Sequence, residues 1–127
     1  MIQKVEHVGI MVSDAKRSIR FYENVIGLEV IKREKLNDRV ELIFMGFPGQ
    51  SDVQIELVAG TGETYPVKGV VNHVAFTVTD IEKEWERLKE LNVELIDDEP
   101  RTILGGVKVG FFYGPDNERL EFFQPKE

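Results

Sequence analysis

His7 and His73 are the only two histidines in the 127-residue chain, and cysteine is absent. The two histidines open similar runs 66 positions apart, His7-Val-Gly-Ile-Met-Val-Ser-Asp14 and His73-Val-Ala-Phe-Thr-Val-Thr-Asp80. A glutamate follows each histidine by 49 and 48 residues, inside Gln54-Ile-Glu56-Leu-Val58 and Arg119-Leu-Glu121-Phe-Phe123. Two imidazoles and two carboxylates brought together make a metal site with mixed nitrogen and oxygen donors. Such a set suits Zn, Ni, Co, Mn or Fe(II) better than a soft metal. Two glutamates neutralise a divalent ion, and a five- or six-coordinate ion leaves positions for water or substrate. The missing cysteines exclude disulfides, thiolate metal sites and a cysteine nucleophile.

The elements that must carry these residues repeat with them. A strand is predicted over 3–12, then a helix over 15–26 capped by Ser13 or Asp14 and stopped by Gly27. Strands over 28–34, 39–46 and 52–58 follow, with turns at Leu36-Asn-Asp38 and Gly46-Phe-Pro-Gly49. The second half repeats the order: a strand over 70–79, a helix over 81–91 capped by Thr79 or Asp80, and strands near 93–97, 106–113 and 118–124. Gly114-Pro-Asp-Asn117 is the last turn. One domain over 1–127 is expected, built from a first module at 1–60 and a second at 67–127. The link Ala59-Gly-Thr-Gly-Glu-Thr-Tyr-Pro66 reads as a loop.

Alternation along the strands sets the faces. Val8, Ile10 and Val12 are apolar, opposite His7, Gly9 and Met11. Val74, Phe76 and Val78 are apolar, opposite His73, Ala75 and Thr77. Ile55 and Leu57 oppose Glu56, and Leu120 and Phe122 oppose Glu121. All four candidate ligands therefore face away from the apolar side, and a curved sheet would gather them in a concavity. On the helix, Ile81, Trp85 and Leu88 share a core-facing stripe.

Composition limits the partners. Sixteen Lys and Arg against 23 Asp and Glu give a net charge of −7, which argues against nucleic acid or an anionic membrane. The N-terminal run is interrupted by Lys4, Glu6 and His7, unlike a signal peptide. No apolar stretch approaches the roughly 18 residues of a transmembrane helix. A cytoplasmic location is expected.

The runs quoted above resemble the vicinal oxygen chelate superfamily, which includes glyoxalase I. Ser18-Ile-Arg-Phe-Tyr-Glu-Asn-Val-Ile-Gly-Leu-Glu29 and Phe111-Phe-Tyr-Gly-Pro-Asp-Asn-Glu-Arg-Leu-Glu121 extend the likeness over nearly the whole chain. The resemblance implies an α+β fold of tandem βαβββ modules, with curved mixed sheets around a metal. It places metal ligands at His7, Glu56, His73 and Glu121, with Ni, Co or Zn as the ion. It implies a homodimer with sites shared between subunits. The implied substrate is the hemithioacetal of methylglyoxal and a thiol, converted through an enediolate to a 2-hydroxyacyl thioester. Glu121 is the implied base, with Glu56 its near-symmetric counterpart.

Departures from the pattern narrow the reading. Glutathione-using relatives carry Arg four residues after the first ligand and Asn four after the second; here Met11 and Gly60 stand there. Losing such charge-assisted contacts costs about 1.5–3 kcal/mol each, so another thiol, or another substrate, is expected. Met11, Arg101 and Lys108 are weaker substrate-binding candidates, with Lys68 a further basic residue near the mouth. Three alternatives share the scaffold. A methylmalonyl-CoA-epimerase-like enzyme fits Asn92-Val-Glu-Leu-Ile-Asp-Asp-Glu-Pro-Arg101, but the 17-residue step from Glu56 to His73 is short for it. An Fe(II) extradiol dioxygenase would use His7, His73 and Glu121. A non-catalytic drug-binding protein would use the acidic surface alone.

Overall fold

Asp14 starts the first helix as predicted. Its side chain accepts the Arg17 backbone N–H at 3.0 Å, satisfying one of the N–H groups that a helix start leaves without a partner. The α-helix α1 (Ala15–Phe21) does not run on to residue 26. The chain widens at Tyr22 into a π-helical turn, Tyr22–Ile26. The N–H groups of Gly27 and Leu28 both donate to the Tyr22 carbonyl, at 3.0 and 2.9 Å. Gly27 then takes φ 93° and ends the segment, a conformation that costs glycine little. Asp80 starts α2 (Ile81–Glu90) in the same way, accepting from Lys83 N–H at 3.2 Å. Ile81, Trp85 and Leu88 are fully buried along one stripe of α2.

The computed structural model describes residues 1, 3, 5–61 and 71–127. The chain divides into two compact units, Met1–Tyr65 and Pro66–Glu127. The first contains β1 (His7–Val12), α1, β2 (Glu29–Lys35), β3 (Glu41–Phe47) and β4 (Gln50–Ala59). The second contains β5 (Val74–Thr77), α2, β6 (Arg101–Ile103), β7 (Val107–Tyr113) and β8 (Arg119–Gln124). Each unit builds one mixed sheet, ordered β1-β4-β3-β2 in the first and β5-β8-β7-β6 in the second. β1 runs parallel to β4 and β5 parallel to β8, while the remaining pairs are antiparallel. The α+β fold with a βαβββ order in each unit agrees with the sequence reading.

Several boundaries differ from the prediction. β1 begins at His7 rather than residue 3, because its parallel partner first meets it where Gln54 N–H bonds the Glu6 carbonyl at 3.3 Å. β4 starts earlier than predicted because Phe47 pairs with Gln50, leaving Pro48-Gly49 as a tight turn with Gly49 at φ 77°. The turn at 36–40 is held by Asn37, whose side chain accepts from Arg39 and Val40 N–H at 2.9 Å each. β2 is bulged between Val30 and Lys32. The strand predicted over 70–79 is Val74–Thr77; its first residue lies outside the described set.

The strand predicted near 93–97 does not form. Leu95 makes a single bridge to Phe112. Ile96 and Asp97 N–H both donate to the Phe111 carbonyl, at 3.0 and 3.2 Å, and the Asp97 carboxylate accepts Phe111 N–H at 2.8 Å. The carboxylate thus replaces a backbone acceptor and ends the ladder there. The edge strand forms later instead, over Arg101–Ile103, just past Pro100.

The apolar face of each sheet makes its core. In the first unit, Val12, Tyr22, Ile43, Met45 and Leu57 are fully buried. In the second, Trp85 packs edge-on to Phe112, which meets Phe122 at 4.6 Å between ring centres. Gly110 lets the indole lie against β7, since a Cβ there would sit 2.6 Å from Trp85 Cζ3.

Candidate functional site

Alternation on β1 and β4 decides where His7 and Glu56 go. Ile10 and Val12 are buried, as are Ile55 and Leu57, so the intervening residues project from the other face. Gly9 pairs with Glu56 in the parallel ladder. Gly9 lies beside the Glu56 carboxylate, where a Cβ would make ordinary van der Waals contact at 3.5 Å from Oε1. His7 Nε2 then stands 3.6 Å from Glu56 Oε2, with the two side chains 37% and 15% exposed. Phe44, opposite Glu56 on β3, meets the His7 ring edge-on at 5.9 Å. Lys32 Nζ lies 4.9 Å from the Phe44 ring centre and 3.4 Å from Glu34.

The second unit repeats the arrangement. Ala75 pairs with Glu121, and His73 Nε2 stands 3.3 Å from Glu121 Oε1. Glu121 is a buried carboxylate at 8% exposure. Phe111 lies opposite it on β7 and meets the His73 ring edge-on at 5.2 Å. Asn72 Oδ1 lies 3.0 Å from His73 Nδ1. With Nδ1–H donating there, Nε2 is left as the acceptor nitrogen, the state in which a histidine binds metal.

The chemistry of these donors fits a divalent ion. The two N···O separations, 3.6 and 3.3 Å, suit two donors each about 2.1 Å from a shared ion. Each unit supplies one nitrogen, at or just before the start of a strand, and one carboxylate from that strand's parallel neighbour. Among the described residues no three His, Asp or Glu side chains form a metal-holding group; the structure joins the candidate ligands as two pairs.

The weaker candidates separate. Met11 lies on the His7 face of β1 and is 41% exposed. Gly60 has φ 101°, and a Cβ there would collide with the Arg39 carbonyl oxygen, so no asparagine side chain fits at that position. Arg101 lies 5.9 Å from the Phe111 ring centre, on the Glu121 side of its sheet. Lys108 is not brought to either pair. It alternates with Val109 and Phe111, and its Nζ bonds Glu82 of α2 at 2.8 Å. Glu82 holds the Lys108 ammonium above its usual pKa range, and Lys108 holds the Glu82 carboxyl below its own. Lys68 falls outside the described residues.

Phe44, Phe111, Asn72 and Arg119 join the site without having been singled out in the sequence. The one signal for the phenylalanines is the repeat itself, since each lies in the strand preceding its module's glutamate strand. Arg119 could have been read from its place two residues before Glu121.

Comparison with known proteins agrees with this geometry. Residues 4–122 match the model of the Glyoxalase/Bleomycin resistance protein/Dioxygenase superfamily. YwbC of Bacillus subtilis (strain 168), an uncharacterised protein, is 38% identical over 98% of this chain and 99% of its own. A lactoylglutathione lyase of Salmonella typhimurium is 29% identical over 95% of this chain and 92% of its own. Glyoxalase I of Zea mays has the same fold at TM-score 0.84 and 23% identity, covering 98% of this chain and 45% of that one. No helix among the described residues is long and apolar enough to cross a membrane. The two βαβββ units, the repeated His–Glu pairs and the match over 4–122 lead to one conclusion: the chain belongs to the Glyoxalase/Bleomycin resistance protein/Dioxygenase superfamily.

Proposed function

We propose that this protein is a metal-dependent, glyoxalase-I-like enzyme. It isomerises the hemithioacetal of methylglyoxal and a small thiol to a 2-hydroxyacyl thioester. The supporting observation is the duplicated His–Glu pair, with Nε2–Oε separations of 3.6 and 3.3 Å on matching faces of two sheets. The relatives named lactoylglutathione lyase support the same chemistry.

In this reading His7, Glu56, His73 and Glu121 together hold one Ni, Co or Zn ion, in a homodimer. When bound, such an ion polarises the substrate oxygens as a Lewis acid. The chain's own residues do the rest. His7 and His73 serve as neutral nitrogen donors, and Asn72 holds the His73 tautomer that permits it. The Glu121 carboxylate takes the proton from the carbon bearing sulfur and hydroxyl, and returns it to the neighbouring carbonyl carbon. The hydroxyl proton of the first carbon passes to the former carbonyl oxygen, so the first carbon becomes the thioester carbonyl, the second becomes the alcohol, and no outside oxidant or reductant is needed. Glu56 is the near-symmetric counterpart of Glu121 in the first unit. Met11 and Gly60 leave glutathione's charged ends without the usual grips, so the thiol is a different one.

The test is to purify the protein without added metal, measure bound Ni, Co, Zn and Fe, and assay methylglyoxal with several thiols. We expect metal binding that falls in Glu56→Gln and Glu121→Gln, and turnover that Glu121→Gln abolishes. Negligible metal, unchanged by either substitution, would refute the ligand assignment. Metal binding without turnover of any hemithioacetal would refute the isomerase reading.

A further inference from the structure

Around Phe111 the second unit gathers two guanidinium groups, at 5.9 Å for Arg101 and 5.5 Å for Arg119. Arg119 precedes Glu121 by two residues on β8 and so shares its face. Phe111 pairs directly with Glu121, and Arg101 pairs with Val109, two residues before Phe111. The His73 ring meets the same phenyl ring edge-on. Both arginines therefore border the His73–Glu121 pair.

Neither guanidinium has a hydrogen-bond or ion-pair partner among the described residues, and Arg119 Nε is buried without an acceptor. Arg101 is exposed, so the guanidinium that needs a partner is that of Arg119. By contrast, Arg33 is forked onto Glu41 and Arg87 contacts Glu84. The equivalent place in the first unit holds Lys32, whose ammonium is met by Glu34. A buried charged N–H left without an acceptor is costly, and a guanidinium fork matches planar oxyanions.

We propose that Arg119 and Arg101 form an oxyanion subsite beside His73 and Glu121, taking a carboxylate or phosphate carried by the substrate. The phenyl ring of Phe111 supports both cations by cation–π contact. This rests on the reading above, that the His–Glu pairs mark where substrate binds. It adds a substrate class: a thiol or acyl compound bearing an oxyanion.

The test has two arms. In the first, the ¹⁵N-labelled protein is titrated with sodium acetate and with inorganic phosphate, following the arginine Nε–H resonances. A saturable shift of the Arg119 resonance is expected. It is lost in Arg119→Gln, reduced in Arg119→Lys, which keeps the charge without the fork, and reduced in Arg101→Gln. The stronger of the two anions identifies carboxylate or phosphate as the cognate group. In the second arm, methylglyoxal is assayed with 3-mercaptopropionate and with 2-mercaptoethanol. Arg119→Gln is expected to raise KM for the carboxylated adduct about tenfold or more beyond any change it causes for the neutral adduct. No saturable shift with either anion, or equal loss for charged and neutral adducts, overturns the subsite. Anion saturation without turnover of any hemithioacetal upholds the subsite and rejects the isomerase reading. Metal binding and turnover without anion preference do the reverse.

Discussion

Gly110→Ala tests how tightly the strand carrying Phe111 is held. A Cβ at Gly110 would lie 2.6, 2.7 and 3.1 Å from Cζ3, Cη2 and Cε3 of Trp85. Two of these are closer than real Cβ contacts, so the indole or the strand must move. The indole has little room: it is fully buried, its Nε1–H donates to the Asp98 carbonyl at 3.1 Å, and Phe112 packs on it edge-on. Gly110 is not among the glycines with positive φ, so alanine brings no backbone strain and gains about 0.4–1 kcal/mol of unfolded-state entropy. Against that, overpacking costs about 1–3 kcal/mol, and drawing Nε1 away from Asp98 forfeits roughly 0.5–1.5 kcal/mol. The net expectation is a destabilisation of about 2–3 kcal/mol, by the same principles. Urea unfolding reads it directly, through the fluorescence of Trp85, the single tryptophan, and through circular dichroism. The crowded carbons all belong to the six-membered part of the indole, so Trp85→Phe relieves the clash. The double variant should therefore lose less than the sum of the single variants, by about 1 kcal/mol or more. A Gly110→Ala protein as stable as the parent, or strict additivity with Trp85→Phe, would refute the steric account.

Three further outcomes follow. Asp80→Ala removes the α2 cap and should cost about 1 kcal/mol in urea unfolding, whereas an unchanged midpoint would mean the cap is replaced by water. Asn72→Ala should weaken metal binding by about 10- to 100-fold in a chelator-competition titration, with thermal stability of the metal-free protein unchanged; equal affinity would remove Asn72 from its positioning role. The Arg33 fork, at 2.7 Å in both arms, holds the Glu41 carboxyl below its ordinary 4.5. A depressed carboxyl pKa contributes stability above the ordinary value and loses it as pH falls through the folded one. Glu41→Gln should thus cost roughly 0.2–1 kcal/mol at pH 7, toward the low end because Arg33 is 48% exposed to screening solvent. The gap should close as pH falls through the lowered Glu41 pKa; a gap that persists once the carboxyl is protonated contradicts the pairing.

Much of the architecture was legible because local chemistry dictated it. Asp14 and Asp80 cap their helices, Gly27 and Gly49 adopt positive φ, and Asn117 takes φ 63° in the turn before β8. Period-two alternation placed Glu56 and Glu121 opposite the buried residues of their strands. What escaped depends on partners distant in sequence. The segment at 93–97 has the composition of a strand, but Asp97 turns its carboxylate onto Phe111 N–H and ends the ladder. The π-helical turn follows from two N–H groups sharing the Tyr22 carbonyl, which no spacing of apolar residues reveals. Phe111 and Arg119 look like core and surface residues until the β7–β8 register sets them around Glu121.

The two units also differ at the strand that ends each sheet beyond β3 or β7. A long, regular, apolar edge presents unpaired backbone groups that recruit other chains into fibres. β2 spans seven residues, yet it is bulged after Val30 and carries Lys32, Arg33, Glu34 and Lys35 in succession. β6 offers three residues before its hairpin turns away at Leu104. One copy of the module thus guards its edge with charge and irregularity, the other with brevity. Replacing the β2 cations by apolar residues should promote aggregation, whereas β6 is too short to template growth whatever residues it carries.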